Sequence, residues 1–224
     1  MSVYILAIMN CLALGNSSLH GQGPKLKVAD VQAVSVSVTP ARIKGRDSIR
    51  VTKDSAVKEF DEPTFAKVNR SRFKDGTIEV KVLSRLLKDA PDLARGFIGI
   101  AFRINDDNSQ FECIYVRPTN ARVNQQLRRN RTIQYFSFPE FKFERLRKEA
   151  PGEYEAYADM GLDEWIDLKI EVKGAQAKLF VNDYKQPALI VNDLKHGPSA
   201  EGGVGLWVDV GTEGYFSGLR FRSD

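Results

Sequence analysis

The amino-acid sequence predicts an all-β fold in which two antiparallel sheets pack together as a sandwich. Apolar and polar residues alternate over short segments such as residues 77–84, where Ile78, Val80 and Val82 share one face. Turn residues separate these segments at intervals of about ten positions, which is typical of sandwiches and barrels. The chain has 224 residues and contains no internal repeat and no convincing long helix. We therefore expect one β domain.

The predicted strands follow one another from residue 33 to residue 221. They are residues 33–39, 48–52, 77–84, 96–104, 111–116, 165–173, 177–181, 188–191, 204–210 and 215–221. Residues 60–69 are ambiguous, and residues 144–150 could form one or two helical turns. The apolar face of these strands predicts a shared core made of Ile78, Val80, Val82, Ile98, Ile100, Phe102, Ile170, Leu206 and Val208.

Two of these strands carry small, polar and aromatic residues on the face opposite the core. The face of residues 96–104 carries Gly99, Ala101 and Arg103, and that of residues 204–210 carries Gly205, Trp207 and Asp209. Minimal side chains beside a charged one leave a trough that would suit a ligand lying across the sheet, and sugars stack on tryptophan. The alternative is that long loops pack on this face over a second small core.

Residues 117–149, the arginine-rich connection, hold nine basic residues against three acidic ones, although the whole chain has a net charge of only +4. Asparagines and aromatic residues lie between the arginines. Because guanidinium groups match carboxylates, sulfates and vicinal hydroxyls geometrically, this composition predicts a site for a polar ligand, anionic ligands included. The basic charge is confined to this connection and is followed by Glu153, Glu155 and Asp159, a predicted solvated acidic edge. Nucleic acid is therefore not an expected partner.

Other site chemistry finds little support in the sequence. The strand residue Cys113 is the only cysteine after Cys11 and no histidine is placed to activate it, so we expect a small buried residue. No metal-binding or phosphate-binding motif is present, and no cofactor is predicted. The turn at residues 105–108 (NDDN) has oxygen ligands of the kind Ca²⁺ prefers, but their spacing is not diagnostic.

The N-terminus carries an apolar run at residues 3–14 that is too short to span a membrane, which takes about 20 residues. Its length and the small residues that follow fit a signal peptide, although no basic residue precedes the run. We expect residues 1–22 to be signal peptide and linker, residues 23–224 to form the domain, and the protein to be secreted or periplasmic without stable membrane insertion. The alternative is a short buried strand or helix.

The order of strands and turns, with a Gly- and Arg-bearing strand at residues 96–103, an acid-bearing strand at 110–118 and a Trp-led strand from Trp165, resembles the concanavalin A-like lectin/glucanase sandwiches. Within them it is most similar to the laminin-G-like branch that includes the 3-keto-disaccharide hydrolase domains. The resemblance covers about residues 75–222. It implies a jelly-roll sandwich, with Glu112 in the position of the strand acid and Arg103 in that of the strand arginine.

Two functions follow. The first is an extracytoplasmic protein that recognises a polar saccharide, through aromatic stacking and arginine hydrogen bonds. The candidate ligand-binding residues are Arg103, Tyr115, Arg117, Asn120, Arg128, Arg129, Tyr135, Trp207 and Asp209. The alternative is a glycoside hydrolase or lyase acting on (keto-)disaccharides, with the carboxylate of Glu112 as the catalytic acid/base.

Overall fold

Two seven-stranded antiparallel sheets form the protein in the computed structural model, which describes residues 26–224. The predicted N-terminal signal segment lies outside the described residues. The strands are β1 Val31–Val34, β2 Val36–Ile43, β3 Arg46–Lys53, β4 Phe65–Val68, β5 Gly76–Leu86, β6 Ile98–Ile104, β7 Phe111–Val116, β8 Ile133–Phe138, β9 Glu155–Ala156, β10 Ile166–Lys173, β11 Gln176–Val181, β12 Leu189–Val191, β13 Gly203–Val208 and β14 Thr212–Ser223. The helices are the short α1 Pro118–Ala121 and α2 Gln126–Arg129, and α3 Phe143–Glu149, the predicted one or two turns.

The first sheet has the strand order β1-β4-β13-β6-β7-β8-β9, and the second has the order β12-β11-β10-β5-β14-β3-β2. The predicted all-β sandwich is confirmed. All nine predicted core residues are buried, with at most 3% of any of them exposed. Val208 and Ile98 of the first sheet approach Gly214 of the second, so the predicted apolar face does point between the sheets.

The chain passes from one sheet to the other at Ser35. Residues 33–39 were predicted as one strand, but Ser35 has a φ of 51° and divides the segment into β1 and β2. A residue in the left-handed region interrupts the extended strand, and β1 pairs with β4 in the first sheet while β2 pairs with β3 in the second. The ambiguous residues 60–69 contain the short strand β4.

No strand was predicted within the arginine-rich connection, yet it contains β8, which pairs with β7 along its whole length. The first five residues of β8 are buried, because both faces of this part of the sheet are covered. A strand buried on both faces lacks the apolar–polar alternation that identifies strands in a sequence. In the described part of the chain, no helix is long and apolar enough to cross a membrane.

The packing between the sheets predicts that Ile100→Ala destabilises the protein by about 2–5 kcal/mol, because the cavity it leaves is closed on all sides. Ile190→Ala is the matched control, since Ile190 lies on β12 with 44% of its surface exposed, and should change the free energy of unfolding by less than about 0.5 kcal/mol. Denaturant unfolding measures both. Equal losses in the two variants would contradict the assignment of the core.

Candidate functional site: an arginine pocket on the first sheet

The trough predicted on the outer face of the first sheet is filled by the protein's own aromatic side chains. Trp207 on β13, Gly99 on β6 and Tyr115 on β7 lie side by side in register. Because Gly99 has no side chain, the rings of Trp207 and Tyr115 meet with their centroids 4.7 Å apart. Trp207 is fully buried and its indole N–H donates to the Glu62 carbonyl oxygen at 2.9 Å. As in the alternative prediction, this face is covered rather than open, but its buried side chains are continuous with the main core instead of forming a separate one. Trp207 therefore offers no open face to a sugar.

Arg103 leaves the outer face because of a β-bulge. Two residues of β6, Phe102 and Arg103, lie opposite the single residue Val204, and Arg103 has a φ of 53°. Its guanidinium is buried at the end of the sandwich. There it donates to the backbone oxygens of Lys74, Gly174 and Gly197 and to the Asp75 carboxylate. Arg103 therefore does not lie on the outer face, where it was predicted. Its side chain instead links three turns at the end of the sandwich.

Glu112 and Tyr135 form a second buried cluster at the other side of β7. The Glu112 carboxylate accepts a hydrogen bond from the Tyr135 hydroxyl at 2.6 Å and one from the backbone N–H of His196 at 2.9 Å. The Tyr135 oxygen accepts the backbone N–H of Lys195, and burial raises the pKa of Tyr135 well above its usual value. Glu112 is fully buried. These contacts join β7 and β8 to the loop after β12.

The predicted residues that do come together line a cavity of about 350 Å³, called the arginine pocket here. Phe97, which immediately precedes β6, and Tyr115 on β7 form part of its wall, and loops and short helices supply the rest. None of its lining side chains is acidic. The lining residues are Phe60, Leu93, Arg95, Phe97, Tyr115, Arg117, Asn120, Arg128, Arg131, Phe143 and Arg147.

Glu155 holds three of the five arginines. Its carboxylate oxygens lie 2.5 Å from Arg147 Nη2, 3.3 Å from Arg117 Nη1 and 3.5 Å from Arg131 Nε. Arg117 also donates to the Tyr115 hydroxyl at 2.6 Å. The expected solvated edge is therefore wrong for Glu155, whose side chain is 6% exposed. It fits Asp159, which pairs on the surface with Arg122.

Arg95 and Arg128 differ from the other three because neither forms an ion pair with a carboxylate of residues 26–224. Arg95 Nη1 donates to the backbone oxygens of Asp92 and Ala94. Arg128 donates through Nε and Nη2 to Asn120 Oδ1 at 3.3 and 3.2 Å. Burial, with the charges of Arg128 and Arg117 adding to it, lowers the pKa of Arg95. The pocket therefore contains two guanidinium groups that form no ion pair with a described carboxylate, although the charge of the nearby Asp92 opposes the lowering of the Arg95 pKa.

A buried carboxyl group supports the helix that carries Phe143 and Arg147. Asp61 Oδ2 accepts the N–H of Phe143, the first residue of α3, at 2.7 Å. The Asp61 N–H in turn donates to Asp209, which pairs with Lys53. Burial raises the pKa of Asp61 to about 7, and the Asp209 charge adds to this, while the Phe143 N–H, Arg117 and Lys142 oppose it. Asp209 thus helps to hold Asp61 in place, and Asp61 holds the start of α3 beside the pocket.

Of the residues predicted to bind ligand, four line the pocket: Tyr115, Arg117, Asn120 and Arg128. Trp207, Arg103, Tyr135 and Asp209 lie elsewhere, and so does Glu112, the predicted catalytic residue. Arg129 donates to the Tyr157 hydroxyl at 3.0 Å and packs over that ring. The sequence prediction missed the lining residues Phe60, Leu93, Arg95, Phe97, Arg131, Phe143 and Arg147. Arg131, Phe143 and Arg147 belong to the arginine-rich connection and could have been included. Phe60, Leu93, Arg95 and Phe97 carry no local sequence signal.

The acidic turn at residues 105–108 is stabilised by a lysine. Lys67 Nζ donates to the Asn105 carbonyl oxygen at 2.8 Å and to Asn108 Oδ1 at 3.0 Å. The ammonium group therefore uses two of the oxygens that a bound Ca²⁺ would need. Among residues 26–224, no three His, Cys, Asp or Glu side chains are grouped so that they could hold a metal ion.

A larger open groove of about 750 Å³ crosses the outer face of the second sheet. Three of its cations pair with neighbouring carboxylates: Lys81 with Asp167, Lys169 with Glu171, and Arg220 with Glu79. Lys169 also packs over the Phe180 ring. These three pairs balance much of the charge in the groove, whereas in the arginine pocket Arg95 and Arg128 have no carboxylate partner among residues 26–224.

No protein-family model and no curated protein matches the sequence. Among solved structures, the chain is similar to the carbohydrate-binding module CBM66 from Bacillus subtilis, with a TM-score of 0.55, 16% identity, and coverage of 86% of this chain and 98% of that one. A candidate glycosyl hydrolase from Parabacteroides distasonis aligns with a TM-score of 0.49 and 12% identity over 85% and 94% of the two chains. A Bacillus subtilis protein of unknown function with a galectin-like fold aligns with a TM-score of 0.46 and 14% identity over 87% and 92%. The similarity to CBM66 shows a shared β-sandwich fold.

The raised pKa of Asp61 predicts a pH-dependent stability. A carboxyl group whose pKa is about 7 in the folded state and 3.8 ordinarily stabilises the fold at low pH, and this contribution is lost as the pH rises through 7. Asp61→Asn keeps an acceptor for the Phe143 N–H and removes the titration. Between about pH 5.5 and pH 8, the wild type should therefore lose about 2 kcal/mol of unfolding free energy relative to the variant.

Denaturant unfolding at the two pH values measures this difference directly. Asp183→Asn, at an exposed aspartate, is the matched control and should follow the wild type at both pH values. If the wild type and Asp61→Asn change in parallel, the Asp61 carboxyl is not protonated near neutral pH.

Proposed function

We propose that the protein is an extracytoplasmic saccharide-binding protein whose ligand lies in the arginine pocket. The observation that carries this proposal is the combination of five guanidinium groups with aromatic rings around one cavity. Guanidinium N–H groups donate to sugar hydroxyl and carboxylate oxygens, and aromatic faces pack against the apolar faces of sugar rings. Export rests on the apolar N-terminal run. The similarity in fold to a carbohydrate-binding module supports the ligand class.

The pocket is better suited to binding than to glycoside hydrolysis. Glycosidases commonly place two carboxyl groups on either side of the scissile bond, and no carboxylate is among the lining residues. The alternative of a hydrolase or lyase of the 3-keto-disaccharide type relies on Glu112. Both oxygens of that carboxylate are already hydrogen-bonded in the buried cluster with Tyr135. The geometry therefore favours recognition without turnover.

Phe60→Ala tests the location of the site. Phe60 lines the pocket and packs edge-on against Phe97 and Phe143, so its loss should weaken saccharide binding at least about fivefold, or about 1 kcal/mol, as at other binding hot spots. Calorimetry against a panel of neutral and acidic oligosaccharides measures affinity, and product analysis of the same mixtures detects turnover.

The control is Phe180→Ala in the groove of the second sheet, which should bind like the wild type. If Phe180→Ala loses binding while Phe60→Ala keeps it, the ligand lies in that groove instead. If no member of the panel binds the wild type, saccharide recognition is refuted. Product formation that Glu112→Gln abolishes would establish the alternative function.

A further inference from the structure

We infer, on the basis of the proposed function, that the saccharide is a sugar acid whose carboxylate is bound by Arg95 and Arg128. The proposed function requires only a polar saccharide. This inference identifies the charged group that the ligand must carry and the two side chains that select it.

The charge balance of the pocket favours an anionic ligand. Five guanidinium groups line it, and Glu155 is the only carboxylate of residues 26–224 that forms an ion pair with any of them. Guanidinium groups remain protonated in proteins. Placing several like charges around one cavity is unfavourable unless an anion offsets them. An anionic ligand would supply that charge.

The hydrogen bonds of Arg95 and Arg128 leave part of each guanidinium group available to a ligand. Arg95 is anchored through Nη1 alone, and Arg128 through Nε and Nη2. Within residues 26–224, Arg95 Nε, Arg95 Nη2 and Arg128 Nη1 have no acceptor. The neutral oxygens of Asp92, Ala94 and Asn120 thus orient both groups and leave donors available, so little side-chain entropy is lost when a ligand binds.

The cavity is small and has an apolar wall. A volume of about 350 Å³ is at the lower end of the range for small-molecule sites, roughly 300–1,000 Å³. It suits a short ligand with one charged group, whereas a long polyanion would need a row of cations along a surface. The rings of Phe60 and Phe143 give the apolar wall against which a sugar ring would pack.

Two arginines of the pocket already bind one planar carboxylate, that of Glu155. Arg147 and Arg117 bind Glu155 through terminal guanidinium nitrogens, 2.5 and 3.3 Å from Oε1. A ligand carboxylate at Arg95 and Arg128 would repeat this chemistry with the two arginines that are not already paired.

The experiment compares ligands that differ only in charge. Calorimetry at low salt would use glucuronic and galacturonic acids, their methyl esters, glucose and galactose, and galactose 6-sulfate. We expect at least one acid to bind at least about tenfold more tightly than its ester and its neutral sugar, a preference that should shrink as salt is added. Arg95→Gln and Arg128→Gln should each weaken binding of the acid much more than binding of the ester, and so bring the acid-to-ester ratio close to one.

Arg145→Gln is the matched control, because Arg145 lies on α3 outside the pocket and pairs with Glu149; it should keep the full preference. Equal binding of acid and ester by the wild type would overturn this inference and leave the proposed function standing. Binding of galactose 6-sulfate as tight as that of the acid would overturn the assignment of a carboxylate. If none of these ligands binds, while longer neutral oligosaccharides do, only this inference fails; if no saccharide binds at all, both fail.

Discussion

The buried ion pair between Arg117 and Glu155 is the interaction on which the outer layer of the first sheet depends. Both side chains are about 6% exposed, and a buried charge is tolerated only when it is paired and hydrogen-bonded. Arg117 follows β7, Glu155 begins β9, and Arg147 on α3 shares the same carboxylate. Removal of Glu155 would leave the buried Arg117 charge without an ion-pair partner, and breaking a buried pair in this way typically costs about 3–5 kcal/mol. The connection between β7 and β9 is thereby held over the sheet, and the arginine pocket exists because that connection is fixed.

The two sheets could be predicted from the sequence wherever one face of a strand meets water. Strand β5 alternates between the core residues Ile78, Val80 and Val82 and outward charged residues, and β10 does the same. Strand β8 could not be found in this way, because neither face is exposed and its pattern is continuous burial. The break at Ser35 was also hidden, since a serine carries no strong preference for a positive φ.

The site was only partly predictable, for reasons that differ among its residues. The local excess of arginine and asparagine identified Arg117, Asn120 and Arg128, because those residues are close together in the chain. Phe60 and Arg95 reach the same cavity from distant loops, so their contribution depends on tertiary packing. Alternation indicated correctly that Trp207 lies on the outer face of the first sheet, but it contains no information about what covers that face. The bulge that redirects Arg103 depends on backbone geometry and likewise left no sequence signal.

The division of the arginine pocket between strand and loop residues separates stability from specificity. Tyr115 belongs to a buried strand and Arg117 to the ion pair that holds the layer together, so substitutions at either would affect folding. Arg95 and Arg128 belong neither to a buried strand nor to the ion pair, because their partners are neutral oxygens and their contacts are local. Replacing them would alter the electric field of the cavity while the sheets kept their packing. Over evolution, substitutions at Arg95 and Arg128 would therefore change the ligand specificity while the two sheets stay the same.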